Sequence, residues 1–375
     1  MRVVPTLGES PILDGSNPDT LTVTRPAPAV RRQRRSGPRI AALSLADPPV
    51  KLSQADALRR LGLDDDEFAQ RIFERSGVER RALQLDDDFL ALNLQGRTER
   101  VERELLDRAV QAVDALGLDP ATVGTVVSAS LYSLGCPTLA HHLIERYAMD
   151  PTTDKYHVTG IGCASAVPLF KLAAQSLHGH PDRHSLVVAA ESMSGITMCA
   201  RDGDPRAKTV GSALFGDGCA AALLSADAHA GGPLIVDTQV HQVAGTLDAV
   251  KLECGNDDSH LHLARELPAV AGAELGAIAE RFLRRNGIRR EQVDHWIVHP
   301  GGRRIIENVE SALALSSDET ELSWRVLAEH GNVGTPSIFY VLADTIAQRD
   351  PQPGERGLAV TIGPGVTVGL MLLAW

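Results

Sequence analysis

The sequence is short of the features that mark secreted, metal-binding and membrane-spanning proteins. It has five cysteines in 375 residues, an odd number, and none stands in a close C-x-x-C pair. We therefore expect no metal site, and the cysteine usage fits a reducing cytosol. No run of about 18 uninterrupted apolar residues occurs, and the start, MRVVPTLGES, lacks an apolar core after a basic region. We predict neither a signal peptide nor a membrane span, and a cytoplasmic location.

Positive charge is also in deficit. Lys and Arg number 37 against 48 Asp and Glu, which gives a formal net charge of −11. Such a balance argues against nucleic acid or an anionic membrane as the main partner. One basic run, RRQRR at residues 31–35, stands in a segment rich in Pro, Asp and Thr that covers residues 1–38. We predict that this segment is a flexible N-terminal arm with solvated charges.

Hydrophobic residues make up 43% of the chain, enough for a sizeable core. From residue 39 onward, short apolar or β-branched runs alternate with stretches of helical periodicity, which indicates an α/β protein. The length exceeds one ordinary core, and a Gly-Gly-Pro break at 231–233 suggests two similar halves, 39–230 and 231–375. The pattern predicts helices at 54–62, 65–76, 97–116, 270–286, 304–315 and 336–348, and strands at 39–45, 125–130, 155–158, 185–190, 220–225, 234–239, 295–299, 357–362 and 367–374.

One cysteine stands where a strand gives way to a helix. Residues 157–166 read HVTGIGCASA, so Cys163 follows small residues at the end of a strand and precedes an apolar helix. Amides at a helix N-terminus carry partial positive charge, which lowers the pKa of a thiol. Cys163 is therefore a candidate nucleophile, with a small buried hydrophobe as the alternative role.

A histidine and an asparagine in the second half complete a candidate catalytic set. His299 ends the run HWIVH and is followed at once by Pro-Gly-Gly, a position from which a side chain can face a cleft. Asn332 lies in the turn HGNVG, where a helix cap or turn former is the alternative role. Together, a nucleophilic Cys, a His and an Asn amide can perform acylation and decarboxylative condensation without a metal. Cys163 would carry the acyl group, while His299 and Asn332 would hydrogen-bond the thioester oxygen of a malonyl unit.

Four sequence blocks closely resemble the type III polyketide synthase, or chalcone synthase-like, family over residues 39–375. They are GCA at 162–164, ALFGDG at 213–218, WIVHPGG at 296–302, and Gly331-Asn332 followed by GPGVT at 363–367. The His-Pro-Gly-Gly block and the Gly-Pro-Gly loop separate this family from its ketoacyl-ACP synthase III relatives. The resemblance implies a five-layered αβαβα thiolase fold of two pseudo-duplicated halves and a homodimer. It also implies acyl-CoA and malonyl-CoA as substrates, with no cofactor and no carrier protein.

The resemblance further implies a binding site for coenzyme A phosphates. Arg71 and Arg75, four positions apart, would share one helix face and match cations of the family. A third basic position of the relatives is Phe68 in this chain. Arg303 and Arg304, just after the Gly-Gly turn, could compensate for that loss.

Cavity and gate positions follow from the same resemblance. Phe215 matches the gatekeeper aromatic between the coenzyme A tunnel and the cavity, whereas a second gating aromatic is replaced by Leu261. Bulky apolar residues where relatives carry smaller ones predict few condensations or a slender acyl chain. Cys136 matches a loop that crosses the dimer to finish the neighbour's cavity. The remaining substrate-binding or gating positions are Leu131, Tyr132, Met193, Ile196, Leu252, Gly334 and Gly365.

The leading hypothesis is an enzyme that loads an acyl group on Cys163, extends it with malonyl-CoA and releases a small pyrone or phenolic ring. Two alternatives stay open. One is a ketoacyl synthase III-like enzyme that performs a single condensation or an acyl transfer. The other is a non-catalytic thiolase-fold protein that binds acyl-CoA.

Overall fold

A computed structural model describes residues 37–48, 50–131, 136–194, 205–254, 259–264 and 267–375. The predicted N-terminal arm thus lies, except for its last two residues, outside the described residues. The strands are β1 (Arg39–Leu45), β2 (Lys51–Ser53), β3 (Arg80–Ala82), β4 (Val123–Ala129), β5 (Asp154–Val158), β6 (His184–Glu191), β7 (Gly218–Ser225), β8 (Leu234–Gln242), β9 (Val250–Cys254), β10 (Ser259–Leu263), β11 (His295–Val298), β12 (Arg356–Gly363) and β13 (Thr367–Ala374).

Most of the predicted helices are confirmed, with ends that lie within a few residues of the predicted ones. None in the described ranges is long and apolar enough to cross a membrane. The helices of the described residues are α1 (Gln54–Arg60), α2 (Glu67–Arg75), α3 (Asp87–Ala91), α4 (Leu94–Ala115), α5 (Leu139–Arg146), α6 (Ala166–Ser176), α7 (Pro205–Leu214), α8 (Leu267–Arg285), α9 (Arg303–Leu313), α10 (Ser317–His330) and α11 (Ser337–Asp344).

Nine strands form one mixed sheet in the order β11-β12-β13-β8-β1-β7-β6-β4-β5. The sheet consists of two half-sheets that meet between β1 and β8. These two strands pair at one position only, Arg39 with Leu234. In the first half β4 runs parallel to β5 and β6, and in the second half β11 runs parallel to β12. Parallel neighbours need a crossover connection, which α5 provides between β4 and β5. Helix α6 then connects β5 to β6, on the far side of β4.

The layers follow from the faces that the strands present. Helices α6 and α11 fill the space between the half-sheets, where the rings of Phe170 and Phe339 stack with centroids 4.9 Å apart. Along β6, Val187 faces this central layer while Leu186 and Val188 face α4 and α5 on the outside. Helices α8 and α9 cover the second half-sheet in the same way. The predicted five-layered αβαβα order of the thiolase fold is confirmed.

The turn between the halves requires a glycine. Gly232 has φ +78°, and a Cβ there would lie 2.1 Å from the carbonyl oxygen of Ile40. The backbone N–H of Ile40 in turn donates to the carbonyl of Pro233, at 2.9 Å. The turn is therefore locked onto β1, although the exact limits of the halves, 39–230 and 231–375, stay a prediction.

Candidate active site

Cys163 lies in a short 3₁₀ turn, Gly162–Ser165, between β5 and α6. Gly162 has φ +56°, and a Cβ there would lie 3.0 Å from the ring of Pro364. A Cβ at Gly363 would lie 2.6 Å from the backbone nitrogen of Ala164. The Gly-Pro-Gly loop therefore packs directly against the cysteine turn, and larger residues in these glycine positions would displace it.

The loop that carries Asn332 is joined to the segment that carries Phe215. The N–H of Asn332 donates to the carbonyl of Leu214 at 2.8 Å, and the N–H of Gly216 donates to the carbonyl of Asn332 at 3.0 Å. Phe215 and Asn332 thus form an isolated parallel bridge. These hydrogen bonds join the predicted gate and the predicted amide directly.

The side chain of Asn332 is held through its oxygen. Oδ1 accepts from the N–H of Gly334 at 2.9 Å, from Ser337 Oγ at 3.4 Å and from Cys163 Sγ at 3.6 Å. Nδ2 has no hydrogen-bond partner in the part of the chain that the structure describes. Since the oxygen is fixed, this amide can donate to a substrate oxygen without reorganising.

His299 follows the last residue of β11, and its backbone N–H donates to the carbonyl of Val360 at 2.9 Å. The side chain is buried, and Nδ1 has no partner among the described residues. A Cβ at Gly301 would lie 3.1 to 3.2 Å from the imidazole, so this glycine leaves room for the ring. Burial lowers the pKa of His299 to about 3, which keeps the imidazole neutral at physiological pH.

The predicted low-pKa thiol is wrong for this structure. The pKa of Cys163 is raised to about 12, because burial raises it, the hydrogen bond to Asn332 offsets only part of that rise, and the nearby Glu191 carboxylate adds to it. The reason is the position of Cys163, which is half-buried in a 3₁₀ turn three residues before α6 begins rather than on a solvated helix end. A neutral His299 supplies no cation to offset this. In the resting protein Cys163 is therefore a thiol and His299 a neutral imidazole.

Glu191 is a member of this centre that sequence reasoning missed. Its carboxylate ends β6 and accepts hydrogen bonds from the N–H of Leu131 at 2.8 Å and from Thr335 Oγ1 at 2.9 Å. The side chain is 1% exposed, and burial raises its pKa to about 7. A sequence signal exists, because an acidic residue ends the otherwise apolar run SLVVAAE.

Four of the predicted cavity residues form one apolar cluster beside the centre. Met193 is buried at its middle, with partly buried Leu131, Phe215 and Leu252 around it. Gly334, at φ +68°, makes room for this cluster, since a Cβ there would lie 2.7 Å from Met193 Cε. The predicted cavity positions Tyr132 and Ile196 lie outside the described residues.

The two gating positions meet at Gly211 on α7. A Cβ at Gly211 would lie 2.9 Å from Leu261 Cδ2 and 3.4 Å from Phe215 Cδ2. Leu261 also pairs with Leu252 across β9 and β10. An aliphatic side chain therefore faces the retained aromatic ring across the Cα of a glycine.

The structure does not bring Cys136 and Gly365 into this cluster. Cys136 is exposed and precedes α5. Gly365 is a turn residue with φ +76°, and its carbonyl accepts from Thr246 Oγ1 at 2.8 Å. Their roles in substrate binding stay predictions.

The four predicted coenzyme A cations lie on two helices, and the loop after the first contacts the start of the second. Arg71 and Arg75 are exposed on α2, and Arg303 and Arg304 are exposed in the first turn of α9. A Cβ at Gly77, just after α2, would lie 3.7 Å from Arg303 Cβ. Two of the cations have carboxylate partners on their own helices, Arg71 with Glu67 at 3.5 Å and Arg303 with Glu307 at 2.8 Å.

Comparison with known proteins matches two family descriptions. Residues 50–285 match "FAE1/Type III polyketide synthase-like protein", and residues 235–374 match "Chalcone and stilbene synthases, C-terminal domain". A 1,3,6,8-tetrahydroxynaphthalene synthase of Streptomyces peucetius is 30% identical over 93% of this chain and 97% of its own length. A 3,5-dihydroxyphenylacetyl-CoA synthase of Amycolatopsis balhimycina is 29% identical over 90% of this chain and 93% of its own.

Comparison with solved structures also finds a polyketide synthase. The crystal structure of the polyketide synthase PKS-I from the brown alga Ectocarpus siliculosus superimposes with a TM-score of 0.83 and 26% identity. The match covers 92% of this chain and the whole of that one. The shared fold, the two matched regions and the contact of Cys163 with Asn332 agree with one another. The chain belongs to the type III polyketide synthase family, whose members are acyltransferases that form carbon–carbon bonds.

Proposed function

We propose that this chain loads an acyl group from an acyl-CoA starter onto Cys163 and extends it by decarboxylative condensation with malonyl-CoA. It then releases a small pyrone or phenolic product. The contact that carries the proposal is that of Cys163 Sγ with Asn332 Oδ1, at 3.6 Å, beside an apolar cluster. The names of the two relatives above denote hydroxylated aromatic products, which supports the product class.

Loading begins from the neutral pair. As Cys163 attacks the starter carbonyl, its proton passes to the imidazole of His299, so a sulfur–carbon bond forms while no free thiolate is needed beforehand. Asn332 Nδ2, which has no partner within the described ranges, donates to the oxygen that gains negative charge. The intermediate then collapses, the bond to the coenzyme A sulfur breaks, and His299 returns the proton to that leaving thiolate.

Extension uses the same two side chains on malonyl-CoA. Loss of carbon dioxide leaves an electron pair as an enolate, whose oxygen accepts from Asn332 Nδ2 and from an imidazole N–H of His299. A low pKa suits His299 to this step, since a neutral imidazole keeps its N–H and does not give its proton to the enolate carbon. The enolate carbon attacks the acyl group on Cys163, a carbon–carbon bond forms, and the cysteine sulfur leaves.

Substrates would reach the centre past the gate at Gly211. Coenzyme A phosphates would lie on Arg71, Arg75, Arg303 and Arg304, because these exposed cations lie on α2 and on the start of α9, which the loop after α2 contacts. The apolar cluster of Leu131, Met193, Phe215 and Leu252 would line the acyl chain. Its bulk favours few extensions.

A homodimer is part of the proposal. Strand β5 ends the order of the described sheet, so one edge of its backbone has no strand beside it. It is exposed, and Tyr156 on it keeps 43% of its surface accessible. A second copy that pairs with this edge would cover it. Measurement of the mass in solution tests this point, and the cytoplasmic location stays a prediction.

One experiment decides between the proposal and its alternatives. The purified protein is given malonyl-CoA with a panel of aliphatic and aromatic acyl-CoA starters, and products, released carbon dioxide and the mass of Cys163 are followed together. The proposal requires acylated Cys163, carbon dioxide and a cyclised product. Products of a single condensation would assign a ketoacyl synthase III-like enzyme, and transfer without carbon dioxide an acyltransferase. Binding without acylation would assign a non-catalytic protein.

A further inference from the structure

Arg81 is a buried cation outside the catalytic set. It lies in β3, is 0% exposed, and is the largest fully buried side chain of the described residues. No carboxylate within the described ranges lies at ion-pair distance from it. A buried charge without a paired counter-charge is costly, so it must be stabilised by other polar groups.

Those groups are the carbonyls at the end of α7. Nη1 of Arg81 donates to the carbonyl of Ala213 at 2.8 Å, and Nη2 donates to that of Ser212. Nη1 also donates to Gln54 Oε1, while Gln54 Nε2 donates to the same Ala213 carbonyl at 2.9 Å. The last carbonyls of a helix are unsatisfied within the helix and carry partial negative charge. Arg81 thus caps α7 from inside the protein.

The capped residues stand directly before the Phe215 and Asn332 bridge. The aliphatic part of the Arg81 side chain packs against both segments of that bridge, at the glycines next to Phe215 and Asn332. A Cβ at Gly216 would lie 3.2 Å from Arg81 Cβ, and a Cβ at Gly331 would lie 3.1 Å from Arg81 Cδ. One buried side chain therefore holds the helix end that carries the gate and supports the loop that carries the amide.

We infer that Arg81 is a positioning residue, which fixes Phe215 and Asn332 as one unit through the end of α7 and the two glycine contacts. This rests on the proposed roles of Phe215 and Asn332. The planar guanidinium reaches two carbonyls and Gln54 at once, a geometry that an ammonium cannot reproduce. Arg81→Lys keeps the positive charge but loses the planar group that donates to several acceptors at once.

The test compares Arg81→Lys with Arg97→Lys. Arg97 is a second buried arginine, on α4, whose Nη1 donates to the carbonyl of Leu92 at 2.9 Å in the outer layer. For each variant, thermal melting gives the folded fraction, intact mass gives acylation of Cys163, and carbon dioxide release gives kcat and KM for malonyl-CoA. All rates are expressed per folded protein.

Arg81→Lys is expected to lower kcat for decarboxylation about 100-fold, the scale for a displacement of about 1 Å at a catalytic group. Acylation of Cys163 should also become slower, because Asn332 donates to the oxyanion of the loading step, but it should still reach completion because Cys163 itself is retained. Arg97→Lys should lose stability only, with kcat per folded protein unchanged. A kcat for Arg81→Lys equal to that of the wild type, once corrected for folding, overturns the inference.

A second variant covers the case in which Arg81→Lys does not fold. Gln54→Leu removes one acceptor of the guanidinium and leaves the arginine in place, so the same pattern should follow with a smaller loss of kcat. An unchanged kcat in Gln54→Leu then overturns the inference. A wild type that neither acylates Cys163 nor releases carbon dioxide overturns the proposed function, and the inference falls with it. An active wild type with unaffected variants overturns the inference alone.

Discussion

Cys163 and Asn332 stand 169 positions apart in the chain, yet the thiol of the first donates to the side-chain oxygen of the second, with Sγ and Oδ1 3.6 Å apart. Each lies just before one of the two central helices, Cys163 before α6 and Asn332 before α11. The duplicated architecture therefore brings corresponding loops of the two halves face to face. His299 follows β11 in the second half, so the predicted centre draws on both halves.

The first prediction separates the acyl carrier from the groups that stabilise the enolate. Cys163→Ala should abolish product while malonyl-CoA decarboxylation stays measurable, because His299 and Asn332 are retained. Product and carbon dioxide are measured in the same reaction. Cys219→Ala is the matched control, since Cys219 is also a free cysteine but lies buried within β7. Full product formation by Cys163→Ala would remove the nucleophile assignment.

The second prediction concerns the amide of Asn332. Asn332→Ala should lower condensation on the order of 100-fold, the scale for one lost oxyanion donor. Asn332→Asp is the sharper variant, because it keeps the oxygen that Gly334 and Ser337 bond and replaces only the Nδ2 donor. Both should lose decarboxylation alike when rates are measured per folded protein. An unchanged rate in either would return Asn332 to the role of turn former.

Most of the fold could be predicted, and the omissions have a physical cause. The strands and helices that show clear periodicity occur within a few residues of their predicted places. Helix α10 was not predicted, since its buried face mixes Leu322, Val326 and Leu327 with Thr320 and Ser323, which weakens the apolar pattern. A signal was nevertheless present in the capping box of Ser316 and Glu319.

The candidate site, too, could be predicted only in part from the sequence. Cys163, His299 and Asn332 stand at loop positions that are visible in the sequence. Each alone has an alternative structural role, and the combination of the three is what predicts a catalytic set. The bridge of Asn332 with Phe215 depends on contacts between distant segments, which no local pattern encodes. The pKa of Cys163 depends on how deeply its sulfur is buried, so a helix-end argument gave the wrong direction.

The third prediction uses Glu191, whose pKa is raised from 4.5 to about 7 by burial. A carboxyl with a raised folded pKa adds stability that is fully present below pH 4.5 and is lost as the pH rises through about 7. Glu191→Gln removes this dependence. Between pH 5 and pH 8, the unfolding free energy of the wild type should therefore fall by roughly 2 to 3 kcal/mol more than that of the variant.

Urea unfolding at both pH values measures this difference. Glu145→Gln, an exposed carboxyl on α5, is the control and should follow the wild type. Parallel pH curves for the wild type and Glu191→Gln would show that the carboxyl of Glu191 does not stay protonated in the folded protein at pH 5.

The last prediction concerns selectivity and rests on Leu261 and Leu252. Leu261 offers apolar contact but no ring face beside Phe215, a difference worth about 0.5 to 1.5 kcal/mol for a planar starter. The wild type should therefore prefer aliphatic or short starters, and Leu261→Phe should shift preference toward aromatic ones by roughly 2- to 12-fold, which is that energy converted at 25 °C. His262→Phe, on the opposite face of β10, should shift nothing, because alternate residues of a strand point to opposite faces.

Leu252 limits product length by the same packing argument. It lies against Met193 in the apolar cluster, and a close-packed pocket has no room for two more carbons without strain. Leu252→Gly should lengthen the products, as mass analysis on the same acyl-CoA panel would show. Lys251→Gly introduces the same backbone freedom into β9 one residue away, so any lengthening that it shares with Leu252→Gly arises from the strand and not from the space. Equal product lengths in Leu252→Gly and the wild type, or an aromatic preference in the wild type, would show that these leucines do not set the shape of the cavity.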